Sequence, residues 1–131
     1  MKILITGAKG MLGTQVALDL NRGYTELGGI PQSFVGAEVV LADVDTLDIT
    51  DKSATEKFIA ECKPDVVINC AAYTNVDGCE SNQDTAFMVN GIGSRNLAIA
   101  CESVGAKLVH VSTDYVFKGD EPTPRREYDV T

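Results

Sequence analysis

Four short apolar runs divide the chain, and each is rich in valine, isoleucine or leucine. They are KILIT at Lys2–Thr6, EVVLA at Glu38–Ala42, DVVINC at Asp65–Cys70 and a run at Lys107–Val111. Continuous apolar runs of this length are typical of parallel strands that are buried on both faces. The pattern therefore predicts four strands.

Apolar residues at helical spacing predict three helices between these runs. The inward-facing sets are Leu12, Val16 and Leu20 in the first helix, Ala54, Phe58 and Cys62 in the second, and Phe87, Ile92, Leu97 and Cys101 in the third, which runs from about Asp84 to Val104. Ser53 and Glu56 fit the S-x-x-E capping box and predict where the second helix begins. Because strands alternate with helices, we expect an α/β fold with a parallel sheet in the strand order 2-1-3-4 and helices on both faces.

One segment, residues 22–37, does not fit the alternation. Gly28, Gly29 and Pro31 argue against a regular element there, although structureless loops longer than about 12–15 residues are uncommon in compact domains. A mobile flap and an elaborated joint between helix and strand are both open, and we favour the joint. The polar segment after Phe117 predicts an exposed loop.

Composition and charge narrow the class of protein. The chain has 131 residues, a net charge of −8 and 44% hydrophobic residues, which together predict one globular domain spanning residues 1–131 and argue against a nucleic-acid or anionic-membrane surface. No apolar run approaches the roughly 20 residues that span a bilayer, so we expect a cytoplasmic protein. The four cysteines form no CxxC pair and predict buried thiols rather than zinc ligands. The single histidine, His110, is expected to be packed in the fourth strand.

The first strand leads into a glycine loop, ITGAKGMLG, with Gly7, Gly10 and Gly13 in a G-x-x-G-x-x-G pattern. Gly7 permits a tight turn, Gly10 lets backbone amides approach a pyrophosphate, and Gly13 lets the helix lie close to the sheet. The phosphates would lie at the helix N-terminus, where unpaired N–H groups and the helix dipole favour negative charge. Strand, glycines and helix together predict dinucleotide binding and the N-terminal half of a doubly wound, three-layer α/β/α fold of the Rossmann type.

Two charged residues give opposite indications about which dinucleotide binds. Asp43 ends the second strand, where such folds place a carboxylate against the adenosine ribose hydroxyls, and it would repel a 2′-phosphate. Lys9, just before Gly10, could instead neutralise that phosphate. We expect NADH to be preferred and NADPH to be tolerated. A solvated strand end is the alternative interpretation of Asp43, given the neighbouring Asp45 and Asp48.

Four blocks of the sequence resemble the dTDP-4-dehydrorhamnose reductases, a family of the extended short-chain dehydrogenase/reductase superfamily. They are MKILITGAKGMLG, TLDITD, PDVVINCAAYTNVDGCE and GAKLVHVSTDYVFKG. The resemblance implies NAD(P)H-dependent reduction of dTDP-4-dehydro-L-rhamnose to dTDP-L-rhamnose. It also implies roles for named residues: Gly10, Met11 and Leu12 at the pyrophosphate, Asp43 at the adenosine ribose, Asp48 and Ile49 at the adenine, Ala71, Ala72, Tyr73 and Thr74 on the path to the nicotinamide, and Thr113 and Asp114 at the sugar, with Thr113 hydrogen-bonded to the reacting carbonyl.

Ketone reduction also needs a proton donor, and the superfamily uses a tyrosine with a lysine four residues later. Tyr115 is followed four residues later by Gly119, and no Tyr-x-x-x-Lys occurs in the sequence. The resemblance therefore implies that the Tyr–Lys pair and the substrate-binding half lie beyond Thr131, and that residues 1–131 alone are inactive. Gln15 stands where some members have a magnesium-binding glutamate, so no metal is expected.

Other functions and the oligomeric state stay open at this point. The chain could be a non-catalytic nucleotide-binding subunit, since the regulatory subunit of methionine adenosyltransferase resembles these reductases. It could also be another sugar-nucleotide reductase or epimerase. The sheet edge beyond the fourth strand leaves room for association, so a homodimer is an option that the sequence does not decide.

Overall fold

A four-stranded parallel sheet forms the centre of the computed structural model, which describes residues 1–120 and 122–130. Its strands are β1 (Lys2–Thr6), β4 (Glu38–Ala42), β5 (Val66–Asn69) and β6 (Lys107–His110), in the order β4-β1-β5-β6. Leu4 on β1 pairs with Val40 on β4 and with Val67 on β5, so β1 is a central strand. The predicted strand order is confirmed.

The two faces of the sheet carry separate apolar clusters. Ile3 and Ile5 of β1 pack on one face with Ala17 of helix α1 (Met11–Arg22). Leu4 packs on the other face with Ile59 of α2 (Lys52–Cys62) and Leu97 of α5 (Ser94–Val104). Successive residues of one strand therefore serve opposite cores, which is why the run reads as uniformly apolar. This is the doubly wound α/β arrangement that the sequence predicts.

Helix α1 lies closer to the sheet than its apolar periodicity suggests. Its buried residues are Gly13 and Ala17, whereas Leu12 is exposed and Val16 and Leu20 are half-buried. The predicted inward face was right for Val16 and Leu20, which pack against this cluster, and wrong for Leu12, because small residues occupy the line of closest approach. The larger residues flank that line.

The α2 helix begins differently from the prediction. Asp51 is its N-cap, and the Asp51 carboxylate accepts a hydrogen bond of 3.0 Å from the backbone N–H of Ala54. The capping box at Ser53 and Glu56 was wrong, since both residues lie inside the helix. The buried residues are Thr55 and Ile59, one position along from the predicted face.

We expect Asp51→Ala to lower the free energy of unfolding by about 1 kcal/mol, because the N–H that the cap satisfies loses its partner. Ser53→Ala is the matched control, since Ser53 is exposed and its side chain does not cap the helix. Urea denaturation of both variants measures the difference. An equal loss for the two would show that Asp51 does not stabilise α2 as a cap.

The predicted long third helix is divided. It consists of α3 (Val76–Ser81), α4 (Gln83–Phe87), a π-helical segment (Met88–Gly93) and α5. Asn82 separates the first two with φ −132° and ψ 52°. The π-helical segment shifts the register, so Phe87 is 65% exposed although Leu97 and Cys101 are buried as predicted.

The segment at residues 22–37 is an ordered joint. A two-residue pairing of β2 (Tyr24–Thr25) with β3 (Gly28–Gly29) is followed by a 3₁₀ turn at Gln32–Phe34. Phe34 packs against the cluster beneath α1. The interpretation as a joint therefore fits, and the expectation that Gly28-Gly29 excludes a regular element was wrong. Across the described residues, no helix has the length and apolar character needed to cross a membrane.

Candidate dinucleotide-binding site

A cleft of about 340 Å³ opens at the carboxyl ends of β1, β4 and β5. Eight of the residues predicted to bind the cofactor line it: Gly7, Gly10, Asp43, Asp48, Ile49, Ala71, Ala72 and Tyr73. Six further lining residues were not predicted: Thr6, Val44, Leu47, Thr50, Cys70 and Val89. All but one of these six are chain neighbours of predicted residues or lie between them, and Val89 comes from the π-helical segment. Lys9, Met11, Leu12, Gly13 and Thr74 are not among the lining residues.

The glycine loop crosses the chain after β5 at very close range. Gly7 has φ +66°, and a Cβ added there would lie 2.5 Å from the backbone N of Ala71. A Cβ on Gly13 would lie 2.3 Å from the carbonyl oxygen of Gly7. Both positions require glycine, so the predicted tight turn and close helix approach are present.

The N-terminus of α1 is open to an anion. Its N-cap is Gly10, and no side chain makes a capping hydrogen bond there. The first-turn N–H groups have no partner within the helix, and together with the dipole they attract negative charge. Met11 is 92% exposed and Leu12 is also exposed. Because both side chains are apolar and have no N–H or O–H donor, contact with a pyrophosphate would use backbone N–H groups. The arrangement fits a dinucleotide.

Asp43 follows β4 and is held in a fixed orientation. Its Oδ2 accepts a hydrogen bond of 2.8 Å from the backbone N–H of Lys9, and its Oδ1 accepts one of 2.9 Å from the backbone N–H of Val44. The carboxylate thus bridges the glycine loop and the segment after β4. It lies at the cleft wall, where hydroxyl groups of a ribose could use its remaining lone pairs.

The segment Leu47–Thr50 also lines the cleft, and a side chain of α5 holds it in place. The buried Asn96 donates from Nδ2 to the carbonyl oxygens of Ile49 (3.0 Å) and Thr50 (3.2 Å). The Asp48 carboxylate accepts hydrogen bonds from the backbone N–H and the hydroxyl of Thr50, at 2.9 and 2.7 Å. Ile49 is buried beneath this turn, so Asp48 is the more accessible of the two predicted adenine contacts.

On the opposite wall, Asn90 holds the loop after β5. The backbone N–H of Tyr73 donates to Asn90 Oδ1 at 2.8 Å, and Asn90 Nδ2 donates to the carbonyl oxygen of Tyr73 at 3.1 Å. This pair of bonds orients Tyr73 at the cleft. Thr74 is exposed beyond it. Asn90 is itself exposed, and it acts as a structural tie between the π-helical segment and the loop after β5.

Beneath the cleft, the buried Asn69 connects three strands. Its Oδ1 accepts hydrogen bonds from the Thr6 hydroxyl (2.7 Å) and the Ala71 backbone N–H (3.1 Å). Its Nδ2 lies 3.0 Å from Nδ1 of His110 and 3.4 Å from Ser94 Oγ. His110 is exposed at the end of β6, so the expectation of a packed histidine was wrong. The apolar periodicity did not indicate this role of Asn69. The only signal in the sequence is the position of a polar residue at the end of a buried strand.

The predicted sugar-binding residues lie apart from this cleft wall. Thr113 is the N-cap of a 3₁₀ turn at Asp114–Val116, and its hydroxyl oxygen accepts a hydrogen bond of 3.2 Å from the backbone N–H of Tyr115. The same hydroxyl lies 3.5 Å from Oδ1 of Asp114. Tyr115 is 81% exposed. These side chains face solvent at the carboxyl end of the sheet.

The cysteines are unpaired, as expected, but only Cys101 is fully buried; Cys62, Cys70 and Cys79 are half-buried. Burial raises the pKa of the Cys62, Cys70 and Cys101 thiols. A raised pKa keeps these groups protonated and weakly nucleophilic at neutral pH. Over residues 1–120 and 122–130, no group of three or more His, Cys, Asp or Glu side chains could hold a metal ion.

Known proteins resemble this chain in sequence and in fold. The family model described as RmlD substrate binding domain matches residues 1–131. The dTDP-4-dehydrorhamnose reductase of Mycobacterium tuberculosis is 44% identical over 134 residues, covering 99% of this chain and 40% of the relative. A crystal structure of a dTDP-4-dehydrorhamnose reductase from Clostridium acetobutylicum superposes with a TM-score of 0.85 at 48% identity, covering 98% of this chain and 42% of that one.

A second solved structure contains a dinucleotide. The dTDP-4-dehydrorhamnose reductase of Bacillus anthracis, in complex with NADP, has a TM-score of 0.76 at 41% identity, covering 92% of this chain and 39% of that one. The chain thus spans about two fifths of the length of the relatives that it matches. With the family model matching every residue, the chain belongs to the family described as the RmlD substrate binding domain, and its sheet is of the Rossmann type found in these reductases.

Proposed function

We propose that residues 1–131 form the NAD(P)H-binding domain of a reductase that converts dTDP-4-dehydro-L-rhamnose to dTDP-L-rhamnose. The observation that carries the proposal is the cleft in which the glycine loop, the uncapped N-terminus of α1 and the oriented Asp43 carboxylate meet. This combination matches the needs of a dinucleotide: N–H groups for the pyrophosphate and an acceptor for the ribose hydroxyls. The names of the relatives support the substrate and the reaction.

Each wall of the cleft would contact a different part of the cofactor. First-turn N–H groups of α1 would bind the pyrophosphate, Asp43 the adenosine ribose and Asp48 the adenine. Ala71, Ala72 and Tyr73 would position the nicotinamide, with Asn90 fixing the Tyr73 backbone. When bound, NAD(P)H supplies the hydride for the keto carbon.

Thr113 and Asp114 would act on the sugar. Among the described residues, the hydroxyl of Thr113 donates only over a long 3.5 Å contact to Asp114, so it can turn to donate to the reacting carbonyl oxygen. A donor at that oxygen stabilises the negative charge that develops as hydride arrives. The proton that completes the alcohol would come from a tyrosine–lysine pair outside residues 1–131.

The test is to follow NADH oxidation by the full-length protein with dTDP-4-dehydro-L-rhamnose. Turnover of this sugar, with a large loss for Thr113→Val, supports the proposal. Turnover of a different nucleotide sugar alone would indicate another reductase or epimerase. Binding of the dinucleotide without turnover of any nucleotide sugar would instead support a non-catalytic binding protein. The cytoplasmic location and a homodimer stay predictions.

We expect Asp43→Ala to weaken NADH binding about tenfold or more, because a charged acceptor for the ribose hydroxyls is lost. NADPH should lose less, since the same change removes a repulsion of its 2′-phosphate. Asp43→Asn, which keeps an oxygen acceptor for the Lys9 N–H, separates the charge from the loop contact. Calorimetric titration measures both dissociation constants, with Asp84→Ala on α4 as the control. Equal losses for NADH and NADPH would remove Asp43 from the ribose site.

A further inference from the structure

Lys9 touches two of the acidic residues that follow β4, Asp43 and Asp45, through different atoms. Its backbone N–H donates to Asp43 Oδ2 at 2.8 Å, and its Nζ lies 2.7 Å from Asp45 Oδ2. In the sequence, Lys9 favours a phosphate at the 2′ position of the ribose, whereas Asp43 disfavours one. The structure adds a third group, because the Lys9 ammonium is already paired with the Asp45 carboxylate.

This pairing changes the charge that an incoming ligand meets. Lys9, Asp43 and Asp45 together carry a net charge of −1 when all three are ionised. The hydrogen bond with Asp45 is the main reason that the pKa of Lys9 is raised and that of Asp45 is lowered, so both stay charged at neutral pH. The lysine charge is thereby largely offset by Asp45, and the Asp43 carboxylate at the cleft wall is held by the neutral backbone N–H groups of Lys9 and Val44 rather than by a direct ion pair with the ammonium.

The pair is nevertheless open to competition. The side chains of Lys9 and Asp45 are 69% and 55% exposed, and exposed ion pairs of this kind contribute little to stability. The 2′-phosphate of NADPH, with about two negative charges, could therefore replace Asp45 as the partner of the Lys9 ammonium. It would then lie beside the carboxylates of Asp43 and Asp45, neither of which would have that ammonium as its partner. A ribose with a free 2′-hydroxyl needs no such exchange, because it leaves the ion pair intact.

We propose that Asp45 is a specificity-determining residue, which favours NADH over NADPH by holding the Lys9 ammonium away from the adenosine 2′ position. The inference rests on the proposed function, in that the cleft must bind a nicotinamide dinucleotide. Asp43 selects by contact with the ribose, and Asp45 selects by occupying the Lys9 ammonium. Freeing that cation gives the 2′-phosphate a partner.

The test is calorimetric titration of the full-length protein with NADH and with NADPH. Asp45→Asn is expected to shift the ratio of the two dissociation constants about tenfold toward NADPH, the effect of one unit charge acting within a Debye length. The double variant Lys9→Met/Asp45→Asn should lose most of that shift, because the freed ammonium is gone. Glu61→Gln is the matched control, since it also removes the acid of an exposed lysine pair, 4.0 Å from Lys57 on α2, and should leave the ratio unchanged.

The outcomes separate this inference from the proposed function. An unchanged ratio in Asp45→Asn, with both dinucleotides still bound, overturns the role of Asp45 and leaves the cleft as the cofactor site. A shift that survives in the double variant also overturns it, because Lys9 would not be the group that Asp45 controls. If neither dinucleotide binds to the unaltered protein, the proposed function and this inference fail together.

Discussion

Replacing Gly7 with alanine is expected to lower the free energy of unfolding by about 3 kcal/mol or more and to abolish dinucleotide binding. Two costs add at this position. The backbone has φ +66°, where an L residue is strained by about 1–2 kcal/mol. The new Cβ would lie 2.5 Å from the Ala71 backbone N and 2.6 Å from the Ala71 Cα, and relieving such overpacking costs typically about 1–3 kcal/mol.

Gly23→Ala is the matched control for this substitution. Gly23 ends α1 with φ +76°, and a Cβ there would meet nothing within 4 Å. It therefore carries the conformational cost alone, about 1–2 kcal/mol. Chemical denaturation measures stability, and titration with NADH measures binding under conditions where each variant is folded. If Gly7→Ala is no worse than Gly23→Ala by either measurement, the contact between the glycine loop and the chain after β5 is not tight in solution.

The same contact explains why the backbone of this site was predictable from the sequence. A β-branched run, a G-x-x-G-x-x-G loop and a helix constrain one another, because Gly7 and Gly13 are needed only if the helix returns close to the sheet. The position of the Asp43 carboxylate could be predicted because Asp43 stands at the end of the second of the four long strands. Local pattern and tertiary geometry agree there, so strand order and most of the cleft wall could be inferred.

The parts that escaped prediction depend on helix register and on side chains that bond to distant backbone. Asn96 reaches Ile49, and Asn90 reaches Tyr73, over 47 and 17 residues of sequence. The π-helical segment at Met88–Gly93 changes which residues of the third helix face inward, and a period of 3.6 residues does not report such a change. The ion pair between Lys9 and Asp45 was likewise not predictable, because it depends on how the glycine loop meets the segment after β4.

Asn69→Leu should be the second most damaging substitution, with a loss of about 3 kcal/mol in the free energy of unfolding. The side chain is 1% exposed and branches at Cγ as leucine does, but leucine is larger, so the loss comes from broken hydrogen bonds and some overpacking rather than from a cavity. The buried Thr6 hydroxyl and the half-buried Ala71 backbone N–H both lose their acceptor, and a buried group left unsatisfied costs about 1–3 kcal/mol. Because Thr6 and Ala71 line the cleft, dinucleotide binding should weaken as well.

A double-mutant cycle with Thr6→Val distinguishes this explanation from general disruption of the core. Thr6→Val keeps the shape of the side chain and should cost about 1 kcal/mol by itself, since it removes one ordinary hydrogen bond. In Thr6→Val/Asn69→Leu, no hydroxyl is left without a partner, so the double variant should be less damaged than the sum of the single variants by about 1–2 kcal/mol. Urea denaturation of the four proteins measures this coupling. Strictly additive losses would mean that the 2.7 Å bond between Thr6 and Asn69 does not stabilise the floor of the cleft.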